Sequence, residues 1–140
     1  MKRLQKLAVF LLAVCLLTVP ARAAEPTKAD KKEAERQKLL TKTNHALKLL
    51  YEKKPKSKRA IEHAYGYAVF VDTSYTAGFI GGGHGRGRAV NNSNGTEVFM
   101  KMAQGKLGLG LGVRQTNTIF VFDTIDAFTS FITKGWTFGG

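Results

Sequence analysis

The residues of this chain whose types and spacing could do chemistry are cations. Lys31, Lys32, Arg36, Lys38, Lys42, Lys48, Lys53, Lys54, Lys56, Lys58 and Arg59 crowd one stretch, and Arg86 and Arg88 stand two apart further on. Ammonium and guanidinium groups at this density hold anions, and arginine's planar fork adds bidentate bonding to phosphate. Residues two apart on a strand share a face, so Arg86 and Arg88 point the same way, with His84 on that side too. Two readings stay open for each group. The lysines either meet anionic headgroups or solvate the outer face of a helix whose leucines pack on a sheet. The arginines either clamp a phosphate or line an exposed strand face.

Covalent chemistry has no comparable support. His45, His63 and His84 stand apart from one another and from any cysteine, which speaks against a zinc site. Ser57, Ser74, Ser93 and Ser130 lie in no nucleophile elbow and have no evident base. The glycines from Gly82 to Gly87 have the P-loop's gap but are followed by Arg88-Ala89 where Lys-Ser/Thr is required. The expectation is no catalytic residue, no metal, no cofactor, no nucleotide and no enzyme. Nucleic acid is not expected as a partner either, because no basic strand carries interleaved aromatics of the kind that stack bases.

The cations need positioning, and the chain of 140 residues suffices for one domain. Residues 1–23 read as a signal peptide: Lys2, Arg3 and Lys6 precede an apolar run from Leu7 to Val19, and Ala21-Arg22-Ala23 offers a cleavage site. Lipidation at Cys15 is disfavoured because Val14 is bulky for that position and the apolar run continues past it. Export to the periplasm or beyond, with peripheral membrane association, is the expected location. Without Lys2, Arg3, Lys6 and Arg22 the net charge falls from +12 to +8. Nearly all of that lies in residues 24–59, which hold 12 basic residues against five acids, whereas residues 60–140 hold six against five. The positive arm therefore precedes the sheet, and it points to an anionic partner.

The pattern predicts a helix from about Lys31 to Glu52. Its Leu39, Leu40, Ala46, Leu47, Leu50 and Tyr51 fall within an arc of about 140° at 100° per residue. Lys53 to Arg59 reads as a connector, with Ser57 capping a short helix from Lys58 to Ala64. Strands follow: Tyr67–Val71, a turn at Asp72-Thr73-Ser74, and a glycine-rich strand from Tyr75. A hairpin turn is expected at Asn91-Asn92-Ser93-Asn94-Gly95, then a strand Thr96–Met102, a turn Ala103–Lys106, a Leu/Gly strand to Arg114, a turn Gln115–Thr118 and a buried strand Ile119–Phe122. Asp123 or Thr124 caps a late helix that Gly135 closes. Phe120, Phe122, Phe128, Phe131 and Trp136 read as core. The glycines of both rich strands leave one face bare, which suggests bends, bulges, or another backbone or ring lying against it.

Four motifs, in order, carry a resemblance. Tyr65-Gly66-Tyr67-Ala68-Val69-Phe70, Ala77-Gly78-Phe79-Ile80-Gly81-Gly82-Gly83-His84-Gly85-Arg86-Gly87, Gly108-Leu109-Gly110-Leu111-Gly112 and Phe122-Asp123-Thr124-Ile125-Asp126-Ala127-Phe128 follow a helix ending in Leu49-Leu50-Tyr51. Together they resemble the SYLF domain over residues 38–140, with 24–37 as basic leader and helix start. The resemblance implies a lipid-binding module favouring anionic lipids, phosphoinositides in eukaryotic members, with an amphipathic N-terminal helix at the membrane. Fungal relatives bind actin, and bacterial ones are typically exported. The family domain usually continues past the position of Gly140 through further strands, so a C-terminally short sheet is expected.

The fold class expected is α+β: an N-terminal amphipathic helix and a short helix on a curved, barrel-like, glycine-rich antiparallel sheet, with one late helix. The function expected is non-enzymatic association with an anionic phospholipid membrane surface through the basic helix. The alternative is a scaffolding or protein-interaction domain, actin-binding-like, whose open sheet edge accepts a strand from an envelope protein.

Overall fold

The computed structural model describes residues 25–136, and of 106–108 only the backbone. The expected signal peptide with Cys15, and residues 137–140, lie outside the described residues. The fold is α+β. Helices α1 (Lys28–Lys53) and α2 (Pro55–His63) precede strands β1 (Gly66–Asn91) and β2 (Glu97–Phe122), and α3 (Ile125–Lys134) follows.

Helix α1 starts earlier than its apolar periodicity suggests because a reciprocal cap holds its first turn. The Thr27 hydroxyl accepts from the Asp30 amide at 3.2 Å, and the Asp30 carboxylate accepts from the Thr27 amide at 2.9 Å. The bonds from Thr27 also hold the Asp30 carboxyl below its usual range. Lys54, the residue before Pro55, leaves the helical region at φ −138° and ψ 78°. The expected connector then proves to be helix α2, which begins at Pro55 and not after a Ser57 cap. Proline's fixed φ and missing N–H suit a first helical position, and Ser57 instead donates its hydroxyl to the Lys54 carbonyl at 2.6 Å.

The sheet differs most from expectation. Among the described residues it is one open antiparallel ribbon, not a barrel, with β1 paired to β2 from Gly66 opposite Phe122 to Val90 opposite Glu97. Only the turn after Asn91 closes a hairpin, helped by Gly95 at φ +71°. The turns expected at Asp72–Ser74, Ala103–Lys106 and Gln115–Thr118 do not form; those residues continue the strands. Their polar side chains find partners across the ribbon: Gln104 Nε2 donates to Asp72 Oδ2 at 3.0 Å, and Ser74 Oγ donates to the Arg114 carbonyl at 3.4 Å. The chain bends instead at Gly78, where φ is +67° and the register shifts before Ile80.

That bend lets the second half of β1 run back along the first. A Cβ at Gly85 would lie 2.8 Å from that of Asp72, and one at Gly83 would lie 2.9 Å from the Thr73 carbonyl oxygen. The bare glycine face is thus filled by backbone, as its spacing predicts. On one ribbon face Ala46 and Leu47 of α1 and Ile61 of α2 bury Val69. On the other, Phe128 and Phe131 of α3 bury Ala68, Phe70 and Ala89. The Thr124 hydroxyl caps α3 by accepting from the Ala127 amide at 3.3 Å, and Gly135 ends the helix at φ +70°. Phe120, Phe122 and Trp136 join this aromatic core, the Trp136 and Phe120 rings 4.8 Å apart.

Candidate anion-binding cleft between helix α1 and the hairpin

The side chains of α1 sort by angle. Thr43, Ala46 and Leu47 are buried and Leu39, Leu40, Leu50 and Tyr51 half-buried, so the apolar stripe lies against the hairpin. Lys31, Lys38, Lys42 and Lys53 fall within an arc of about 60° on one flank, at 100° per residue. Every basic residue singled out between Lys31 and Arg59 is exposed.

Three of them are tied to neighbours on their own helix: Arg36 to Glu33 at 3.9 Å, Lys48 to Glu52 at 4.0 Å and Lys58 to Glu62 at 3.8 Å. Solvent-exposed pairs of this kind contribute about 0–1 kcal/mol and leave the cation accessible. Lys31, Lys32, Lys38, Lys42, Lys53, Lys54, Lys56 and Arg59 form no ion pair among the described residues.

Arg86 and Arg88 do not form the expected pair of outward clamps. Arg88 is 6 % exposed, and its guanidinium donates to Glu97 of β2 and Asn44 of α1. It ties the helix to the hairpin and presents nothing to a surface. The physical reason lies outside its own strand: α1 crosses the ribbon here and covers it. Arg86, one alternation nearer the bend, remains half-exposed and donates to Glu35 of α1 at 2.7 Å. His84 beyond it is exposed.

The register adds a residue that sequence reasoning missed. Lys101 is the direct cross-strand partner of Arg86. Like charges directly opposite on a sheet repel. Lys101 forms no ion pair among the described residues, so Glu35 alone offsets this pair. Counting outward from the expected Asn91–Gly95 turn places Met100 opposite Arg86, one residue short of the observed register, so the sequence did not point to Lys101.

Lys32 and Arg36 approach from α1, giving a cleft of about 370 Å³ ringed by four cations and one carboxylate. Leu39 and Phe99 form its apolar side, with the Arg36 guanidinium carbon 5.1 Å from the Phe99 ring centroid. This is within cation–π range and fixes the guanidinium over the ring. A larger cavity of about 600 Å³ beside the α3 core, lined by Phe70, Met102, Gln104 and Trp136, brings together no such set of charges. Of the residues expected to bind anions, the cleft therefore gathers Lys32, Arg36 and Arg86. Lys42, Lys48, Lys53, Lys54, Lys56, Lys58 and Arg59 lie outside it, as do Lys31 and Lys38.

Among the described residues, no group of His, Cys, Asp and Glu is placed to hold a metal ion, and no helix is long and apolar enough to cross a membrane. Comparison with known proteins gives one informative match. The chain is 33% identical over 96 residues to Beta cell expansion factor A of Aeromonas veronii. The match covers 69% of this chain and 36% of that protein, so the chain spans about a third of the relative's length. No family model and no solved structure matches the chain.

Proposed function

We propose that this protein is a non-enzymatic module of SYLF type, exported by its N-terminal segment, that associates peripherally with anionic phospholipid surfaces through the basic flank of α1 and the cations around α2. The observation that carries this reading is the set of exposed cations from Lys31 to Arg59 without ionic partners, ahead of residues 60–140 whose six bases and five acids nearly balance. Each basic residue near such a surface contributes about 1 kcal/mol, so a few engaged together give recruitment that salt weakens. While α1 is docked, its leucines serve the ribbon, and attachment is electrostatic.

Vesicle flotation tests this. The protein is expected to float with vesicles containing phosphatidylglycerol at low ionic strength and to be released by roughly half-molar salt. Equal binding to phosphatidylcholine vesicles under both conditions would defeat the electrostatic reading.

A second reading, docking of an envelope protein, draws support from the bend of the ribbon around Gly78. Tyr75, Phe79, Ile80, Leu109, Leu111 and Val113 are exposed there, Leu111 at 89 %. An open strand edge beside apolar side chains suits an added strand. Co-sedimentation with protein and never with lipid would favour it.

A further inference from the structure

We propose that the cleft between α1 and the hairpin binds a single phosphate monoester group, held by Arg86, Lys101, Lys32 and Arg36, with its carbon stem against Leu39 and Phe99. The inference rests on the membrane reading for its source of ligand, and it replaces diffuse attraction by a stoichiometric site.

Three features of the cleft point to it. Arg86 and Lys101 are placed opposite each other on adjacent strands, where their mutual repulsion weakens the hairpin unless a negative group sits between them. A local conflict of this kind, offset only by Glu35, marks a functional position. Next, the charges come from three elements, Lys32 and Arg36 from α1, Arg86 from β1 and Lys101 from β2, so they surround a space and do not merely line a helix. Lastly, the one carboxylate present, Glu35, already bonds Arg86 as an anion would, at 2.7 Å. A dianionic phosphate outcompetes a single carboxylate for a guanidinium and a neighbouring ammonium together, because it offers more acceptor oxygens and more charge. Glu35 then acts as the internal stand-in that the ligand displaces.

The apolar side, formed by Leu39 and Phe99, favours a phosphate carried on a hydrocarbon stem over a bare ion. Arg36 is already held over the Phe99 ring, so less of its freedom is lost on binding.

The test titrates the whole exported protein with dihexanoyl phosphatidate below its micelle concentration, by calorimetry and by amide chemical shifts. Inorganic phosphate and dihexanoyl phosphatidylcholine serve as comparison probes. Saturable binding of one phosphatidate per chain is expected. Arg86→Gln and Lys101→Gln should each weaken it about tenfold or more, the loss expected for one charged hydrogen bond. Glu35→Gln should tighten it about threefold by freeing Arg86. Lys134→Gln, on α3 and away from both the cleft and the basic flank of α1, should change nothing. Lys101 has no ionic partner, so its variant keeps the fold even if Arg86→Gln loosens α1; circular dichroism and thermal midpoints verify this.

Wild-type affinity in Lys101→Gln, weaker binding in Glu35→Gln, or unsaturable binding overturns the proposal. Equal affinity for inorganic phosphate keeps the site and assigns it to soluble phosphate, whereas preference for phosphatidate assigns it to lipid. Flotation run in parallel separates the two ideas. A wild type that floats while Lys101→Gln titrates unchanged defeats the cleft alone. A wild type that saturates with phosphatidate but never floats defeats the membrane reading alone.

Discussion

The covered limbs of the β ribbon and its bend are built from the same residue types and meet opposite fates. Near the helices, Gly83, Gly85 and Gly87 lie against the first half of β1, and Phe70 and Val69 are buried. Around the bend at Gly78, Leu109, Leu111 and Val113 stand in solvent, and a Cβ at Gly110 would touch only Thr76 side-chain atoms, the nearest at 3.5 Å. Alternation of glycine with other residues makes a strand with one bare face. Whether that face matters depends on what the fold brings to it. Composition describes the opportunity, and topology decides its use.

The sharpest way to break the comparison is to truncate one aromatic at the covered limbs and one aliphatic at the bend. Phe131→Ala, which removes a buried ring packed on Phe70, Phe120 and Phe122, should cost about 3–5 kcal/mol in a denaturant titration. Leu111→Ala should stay within about 0.5 kcal/mol. If both cost the same, the bend is covered in solution. A smaller contrast comes from the glycines. Gly85→Ala forces a methyl into the Asp72 side chain and backbone and should cost about 2 kcal/mol, a fall in thermal midpoint of roughly 8–16 °C. Gly110→Ala, with only ordinary contact, should be neutral or slightly stabilising.

The smallest effect concerns Tyr67, on the covered face. Burial pushes its phenol above the usual range, with Arg88 acting in the opposite sense. The folded state therefore holds this proton more tightly than the unfolded chain. The stability it contributes is fully present below the ordinary tyrosine value of about 10 and is lost as pH rises through the raised folded value. Thermal midpoints followed from pH 8 to 11 should fall at the alkaline end, and Tyr67→Phe should flatten that fall. An unchanged slope in the variant would assign the loss to other groups.

Local rules made much of the helical architecture legible. The late helix with its Thr124 cap and Gly135 stop, the turn after Asn91 and the amphipathic stripe of α1 all follow from neighbours in sequence. The strands did not yield as well. Asp72, Ser74 and Gln104 are turn-forming or polar types, and only their partners across the ribbon explain why they remain extended. The cleft was half legible for the same reason. Lys32, Arg36 and Arg86 stood out as cations, but Lys101, between Met100 and Met102, looks like any alternating strand residue until the register sets it beside Arg86. Arg88 misled because Asn44, which covers it, is remote in sequence and carries no charge to signal the contact.

One consequence of the long first helix concerns speed. The seven residues from Lys28 to Ala34 precede the ion pair that joins α1 to the hairpin, Glu35 with Arg86, and extend about 10 Å. That is slightly more than the distance over which physiological salt damps a charge, about 8 Å. Lys28 therefore rides on a mast clear of the body's own field, where an approaching negative surface senses it first and turns the molecule before contact.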